Sequence, residues 1–165
     1  AQLGGLDQRK IMVLARENLP KVGYNIRIEI MNPMIPGLIG EKMSSSDEKS
    51  KIDLLDDEKT VIKKINNAEC VAGNPNNGIM GFLKYVIMTI KREKKKKFIV
   101  HRDKKYGGDL EYEDYESIEK DFVNKKLHPL DLKNAVAEVI NHMLVSIQKH
   151  KKELEELSKK AYSVS

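Results

Sequence analysis

The sequence predicts an α/β segment followed by an all-α region, with most of the chain helical, and three observations carry that expectation. An early run, Arg27-Ile28-Glu29-Ile30-Met31, alternates polar and apolar residues with the period of a strand. From about Asp57 onward, apolar residues recur instead at helical spacing. Between the two lies a segment broken by Pro33, Pro36, Gly37 and Gly40 and followed by polar residues with no apolar period.

At the start of the chain, Gly4 and Gly5 precede a run from Asp7 to Leu19 in which Ile11, Leu14 and Ala15 share a face. Pro20 stands just beyond, so a helix is expected to begin at the glycines and stop before the proline. The strand at 27–31 leads into a loop carrying Glu41-Lys42-Met43-Ser44-Ser45-Ser46-Asp47. Val61, Ile62, Ile65 and Ala68 then fit one face of a helix, and Met80, Leu83, Val86, Ile87 and Ile90 fit a second. Asn74-Pro75-Asn76-Asn77-Gly78 is the turn between them. The basic run Lys91 to Lys97 precedes a strand-like Phe98-Ile99-Val100, and Tyr106-Gly107-Gly108-Asp109 marks another turn. Tyr115, Ile118 and Phe122 predict a third helix. A last one runs from near Pro129 through Leu132, Val136, Ile140, Met143, Leu144 and Ile147 toward Leu157. The shift from strand and loop to helix near residues 55–60 places a domain boundary there, dividing 1–57 from 58–165.

Composition narrows the partners. The 165 residues carry a net charge of +5 with a pI near 9.1, so clustered Lys and Arg make a polyanion partner plausible. The longest apolar stretches, such as Ile87-Met88-Thr89-Ile90, fall far below the roughly 20 residues of a membrane span, so no membrane is expected. The single Cys70 has no partner within the chain for a disulfide, which suits a reducing compartment and a small buried apolar side chain. Ala1-Gln2-Leu3-Gly4-Gly5 has neither a basic start nor an apolar run, and it reads as a chain beginning in mid-fold.

Three groups of residues bear chemistry. Gly4-Gly5 lets a ligand approach the backbone, and Asp7 and Gln8 behind it can hold hydroxyls or an amine, although Asp7 also reads as a helix cap. Lys42-Met43-Ser44-Ser45-Ser46 offers a cation, hydroxyls and backbone amides that can grip a triphosphate, or it is a solvated serine-rich linker. No glycine-rich turn leads into Gly-Lys-Ser/Thr, so this is not a P-loop. Tyr106, His128 and Asp131 stand beside helix boundaries. An exposed aromatic can stack on an unpaired base and a carboxylate can accept from a guanine edge, while Asp131 after Pro129 also suits the first turn of a helix. Lys91 to Lys97 reads as a solvated face, and no metal-binding Cys/His spacing or Ser/His/Asp arrangement is evident.

The order of these motifs is specific: Gly5-Leu6-Asp7-Gln8-Arg9-Lys10-Ile11, Asn32-Pro33-Met34-Ile35-Pro36-Gly37-Leu38, Lys42-Met43-Ser44-Ser45-Ser46, and Ser50-Lys51-Ile52-Asp53-Leu54-Leu55. With Tyr106-Gly107-Gly108 and Leu127-His128-Pro129-Leu130-Asp131-Leu132-Lys133-Asn134, they resemble the tyrosyl-tRNA synthetases of archaeal and eukaryotic type across nearly the whole chain. The resemblance implies the C-terminal part of a Rossmann-type class I synthetase catalytic domain over 1–57 and a helical anticodon-binding domain over 58–165. It implies activation of tyrosine by ATP, as the Mg2+ complex, to tyrosyl-adenylate, then transfer to tRNA-Tyr, by a cytoplasmic homodimer.

Matched motif to motif, Gln8 would contact tyrosine, and Asp7 with the Gly4-Gly5 backbone the adenosine ribose. Met34 and Ile35 would lie near the adenine. Lys42, Met43, Ser44, Ser45 and Ser46 would form the loop that handles the triphosphate. Tyr106 would stack on the first anticodon base, with Asp131 hydrogen-bonding it and His128 nearby. Two positions depart from common patterns: Ser45 stands where many class I enzymes carry a second lysine, and Met12 where His or Phe is frequent. The His-Ile-Gly-His-like motif, the ligands of the tyrosine hydroxyl and the dimer-forming insertion are absent, so the chain by itself is expected not to activate tyrosine. The rival expectation is a tRNA-binding or signalling fragment without catalysis.

Overall fold

The computed structural model describes residues 1–40, 43 and 47–161, and the chain divides into two compact units, Ala1–Ile35 and Pro36–Ser165. The first unit is a βαβ crossover. Strand β1 (Gln2–Gly5) leads through a 3-10 turn at Leu6–Gln8 into helix α1 (Arg9–Asn18), then through a second such turn at Leu19–Val22 to strand β2 (Glu29–Asn32). The strands pair in parallel, Gln2 opposite Glu29 and Gly5 opposite Asn32, and a parallel pair requires a crossover such as α1 supplies. An Arg16–Glu29 ion pair at 3.1 Å ties helix to strand.

Two expectations for this unit change. Gly4 and Gly5 close a strand rather than open a helix; four residues ending in two glycines are too few to display alternation. The buried residue of α1 is Met12, while Ile11 and Leu14 are 61% and 62% exposed. The physical reason is local: Gly4 has no Cβ, and the Met12 methyl occupies that space. The expected stop does hold, since α1 ends at Asn18 ahead of Pro20.

The second unit is helical around one apolar core. Helix α2 (Glu58–Asn67) is capped by Asp57, which accepts from the Thr60 amide at 2.8 Å. Helix α3 (Gly78–Phe82), capped by Asn77, continues through a π-type turn at Leu83–Ile87 into α4 (Met88–Glu93). Helix α5 (Tyr115–Val123), capped by Asp114, buries Tyr115, Ile118 and Phe122 as its periodicity predicts. Helix α6 (Pro129–Gln148) buries Leu132, Val136, Ile140 and Leu144 and packs along α2. A Gln148 amide donating to the Asp56 carbonyl reinforces that packing, and a Lys64–Asp56 ion pair at 2.6 Å ties Asp56 to α2. Helix α7 (Lys151–Ala161) follows after a break at Lys149-His150, with Leu157 exposed.

This region is not purely helical. Strand β3 (Phe98–Val100), expected from sequence, pairs antiparallel with β4 (Leu110–Tyr112), which is too short to announce itself between Gly-Gly-Asp and Glu-Asp. Ile62 also departs from its expected face and is partly exposed beside a groove shared with α6. Residues 36–57, expected to belong with the first segment, fall within the helical unit: Leu38 is buried in its core, and the Glu69 amide donates to the Leu38 carbonyl at 2.8 Å.

Helices α4 and α5 end alike. Lys96 N–H reaches back to the Lys91 carbonyl and Lys126 N–H to that of Asp121, leaving Lys95 (φ 51°) and Lys125 (φ 59°) in left-handed backbone. Glycine is the usual occupant of that position, and a lysine there costs about 1 kcal/mol.

Candidate functional site

In the first unit, Gly5 precedes the Leu6–Gln8 turn, and Asp7 caps neither that turn nor α1. Its carboxylate instead accepts from the Gln8 side-chain amide at 3.1 Å and closes over Gly5. A Cβ on Gly5 would meet Asp7 Oδ1 and, at 3.0 Å, the Met34 sulfur. Gly4, Gly5, Asp7, Gln8 and Met34 thus come together, with Ile35 following, half-buried. The arrangement offers bare backbone, an exposed acceptor for hydroxyls, an amide and a polarisable thioether suited to a flat ring. Met12, whose departure from the common pattern carried no meaning in the sequence, is the residue packed beneath Gly4.

Lys42, Ser44, Ser45 and Ser46 lie outside the described residues; Met43 is exposed. The segment's two anchors are described and belong to the second unit. Buried Leu38 donates its amide to the Ser50 carbonyl at 2.9 Å, and buried Ser50 bonds through its amide and hydroxyl to the Asp47 carbonyl. Behind Leu38, the Gly37 carbonyl abuts Gly78, the first residue of α3, so closely that no side chain fits there.

The third group is divided between the loop of the β3–β4 hairpin, which bears Tyr106, and the start of α6, which bears His128 and Asp131. Tyr106 is 64% exposed, with Lys105 Nζ 4.9 Å from its ring centre. His128 is the N-cap of α6: its Nδ1 accepts from the Leu130 amide at 3.1 Å, a capping role that sequence reasoning did not assign. Pro129 opens the helix and half-buried Asp131 lies in its first turn.

Arg102 joins the two segments, donating through Nε to the Gly108 carbonyl at 3.0 Å and through a terminal nitrogen to that of Lys126 at 3.4 Å. Asp109 completes the clamp, accepting from the Arg102 amide at 3.0 Å and pairing with His101 Nδ1 at 2.7 Å. Neither residue was singled out from sequence; the available signal was that a basic pair and an acid flank the Tyr106-Gly107-Gly108 turn.

This clamp titrates. The hydrogen bond to Asp109, and then its charge, raise the His101 pKa above 6.5, while the Arg102 amide and then His101 lower that of Asp109 below 3.8. A raised histidine pKa contributes stability that is complete below 6.5 and is lost as pH rises through the folded-state value. A lowered carboxylate pKa contributes stability above 3.8 that is lost as pH falls through its folded-state value. The hairpin loop is therefore tightest between these limits and loosens as pH rises above 6.5. NMR titration of His101 should give a midpoint above 6.5 that Asp109→Asn returns toward the ordinary value; an unchanged midpoint would remove the clamp.

Among the described residues, no group of three or more His, Cys, Asp or Glu side chains could hold a metal ion, and no helix is long and apolar enough to cross a membrane. Half-buried Cys70 has its thiol pKa pushed up by burial, which makes it a poor nucleophile.

The sequence profile of the class I tRNA synthetases (W and Y) matches residues 1–145. The cytoplasmic tyrosine–tRNA ligase of Danio rerio is 48% identical over 98% of this chain and 30% of its own length. That of Saccharomyces cerevisiae is 47% identical over 99% of this chain and 44% of its own. A crystal structure of tyrosyl-tRNA synthetase with L-tyrosine from Archaeoglobus fulgidus superimposes with a TM-score of 0.79 at 43% identity, covering 90% of this chain and 45% of that one. The chain therefore spans less than half the length of each of these three relatives.

Proposed function

The chain belongs to the class I tRNA synthetases of the W and Y family, and we propose on that premise that it is part of a tyrosine–tRNA ligase. The activity is ATP-dependent formation of tyrosyl-adenylate with release of pyrophosphate, followed by transfer of tyrosine to tRNA-Tyr. Residues 1–57 contribute the C-terminal part of a Rossmann-type catalytic domain with its nucleotide loop, although 36–57 pack with the helical unit, and 58–165 the anticodon-binding domain, within a cytoplasmic homodimer.

The observation that carries the reading is the convergence of Asp7 and Met34 on Gly5 beside Gln8. A nucleoside laid on bare backbone finds an acceptor for its ribose hydroxyls in Asp7 and an apolar contact for its base at Met34 and Ile35. Gln8 is next to Asp7 and orients tyrosine. Lys42, Met43, Ser44, Ser45 and Ser46 stabilise the triphosphate, which arrives as the Mg2+ complex and so brings its own metal. In the helical unit, Tyr106 stacks on the first anticodon base and Asp131 hydrogen-bonds it, with His128 holding the helix start in place.

The exposed Leu3, Ile11, Leu14, Ile26 and Ile28 of the first unit also support the reading. One helix and two strands cannot cover that much apolar surface, and the remainder of a larger sheet in the longer protein would. Tyrosine-dependent ATP–pyrophosphate exchange and tRNA-Tyr charging, measured on the longer protein and on these 165 residues alone, test it. Exchange by the longer protein only is the expected result; binding of tRNA by both with exchange by neither would favour the non-catalytic reading.

Asp131→Ala in the longer protein should weaken tRNA charging by about 1–3 kcal/mol, the scale of one base contact, while sparing adenylate formation. Equal loss in both reactions would mean that Asp131 acts only through the fold.

A further inference from the structure

The turn joining α4 to β3 places Lys91, Arg92, Lys94, Lys95, Lys96 and Lys97 within seven residues. Lys97 is held by Glu111 at 3.0 Å and Glu113 at 3.5 Å. Among the described residues, the other five form no ion pair. Five of the six cations, with Glu113 as the lone acid, line one hollow of about 360 Å³.

A solvated helix end does not account for this arrangement. The partial negative charge at the C-terminus of α4 is about half an elementary charge, and Lys91 and Arg92 in its last turn already answer it. The remaining lysines lie beyond the helix and repel one another, and Lys95 occupies left-handed backbone that glycine would occupy more easily. Glu113 is taken up by Lys97, and among the described residues neither Glu93 within the run nor Glu138, which shares a neighbouring hollow with Lys91, Lys94 and Lys96, pairs with the other five cations, which leaves them open to an external anion.

The hairpin indicates which one. Strand β3 separates Lys97 from His101, which opens the loop bearing exposed Tyr106. At about 3.3 Å per residue that separation is roughly 13 Å, within the reach of a few nucleotides of one strand. The hairpin thus carries an aromatic platform at one end, and the turn leading into its other end carries the five cations that form no ion pair among the described residues, the combination that holds a single strand by a stacked base and its phosphates.

We propose that the Lys91–Lys97 turn is a phosphate-binding surface for the backbone of an RNA strand whose base is read at Tyr106. The proposal rests on the tRNA partner given above and adds a contact outside Tyr106, His128 and Asp131. Lysine ammonium groups act as point charges, so the turn contributes affinity and salt dependence rather than base selectivity.

The test is the triple substitution Lys94→Gln, Lys95→Gly and Lys96→Gln in the longer protein, with tRNA-Tyr binding measured across a salt series. All three side chains are exposed and glycine suits the left-handed position, so the fold is retained. The plot of log affinity against log salt should become shallower by about 2–3, at roughly 0.7–0.9 per lost phosphate contact. Discrimination against non-cognate tRNA should stay as it was. Intact binding with an unchanged slope would overturn the proposal, as would loss of binding to phosphatidylserine vesicles with the tRNA slope unaltered, which would assign the turn to a membrane surface. Failure of the unsubstituted protein to bind tRNA-Tyr would instead overturn the functional reading beneath it.

Discussion

Replacing Lys42 by alanine in the longer protein should slow tyrosine-dependent pyrophosphate exchange by roughly 10²–10³-fold, the cost of removing one preorganised stabiliser of transition-state charge. The size follows from the chemistry proposed for the loop. As tyrosine attacks the α-phosphorus, negative charge accumulates on the departing pyrophosphate, and Lys42 is the one cation in the Lys42-Met43-Ser44-Ser45-Ser46 run, with Ser45 where a second could stand. Because that charge grows only as the bond breaks, the loss belongs to the rate and not to binding of tyrosine. Stopped-flow measurement of adenylate formation, with tyrosine affinity determined in parallel, separates the two. A variant that forms adenylate at the normal rate would take Lys42 out of the reaction, and one that loses tyrosine affinity equally would make it a binding residue.

Gly78→Ala should destabilise the helical unit by about 3 kcal/mol, the upper part of the range for overpacking a core. A Cβ at this buried position would overlap the carbonyl group of Gly37. Backbone must then move, and it is held: the next residue, Leu38, donates to the Ser50 carbonyl and accepts from the Glu69 amide. The usual gain in helix propensity from glycine to alanine, about 1 kcal/mol, is too small to offset the clash. Urea unfolding followed by tyrosine fluorescence should show a lower midpoint with an unchanged slope. An unshifted midpoint would mean that segment 36–40 yields without cost.

Which parts of this were legible in the sequence depends on how far apart the partners lie. Helices α5 and α6 announce themselves because their buried residues recur three and four apart, whereas the caps Asp57, Asn77 and Asp114 emerge only with the structure, since each residue type also suits a plain turn. Strands β1 and β4 do not announce themselves, because three or four residues hold too little alternation and their pairing partners are remote. The burial of Met12 in place of Ile11 and Leu14 depended on which position of β1 lacks a Cβ, a fact about a neighbour rather than about the helix. The candidate site divides the same way. Gly4, Gly5, Asp7 and Gln8 were visible as a motif, whereas the approach of Met34 to Gly5 and the Arg102 bridge from Gly108 to Lys126 exist only once the chain has folded.

The hydrogen bond from Leu38 to Ser50 also sets a tether length. An extended chain advances at most about 3.6 Å per residue. With Leu38 pinned, covalent chain alone limits any residue four positions on to about 14 Å from it. Under the role proposed for Lys42, a phosphate it neutralises would come inside that radius plus one side chain, so the proposed nucleotide depth is bounded by a length of covalent chain. Inserting residues between Leu38 and Lys42 would lengthen the leash and widen the catchment, and deleting one would shorten both.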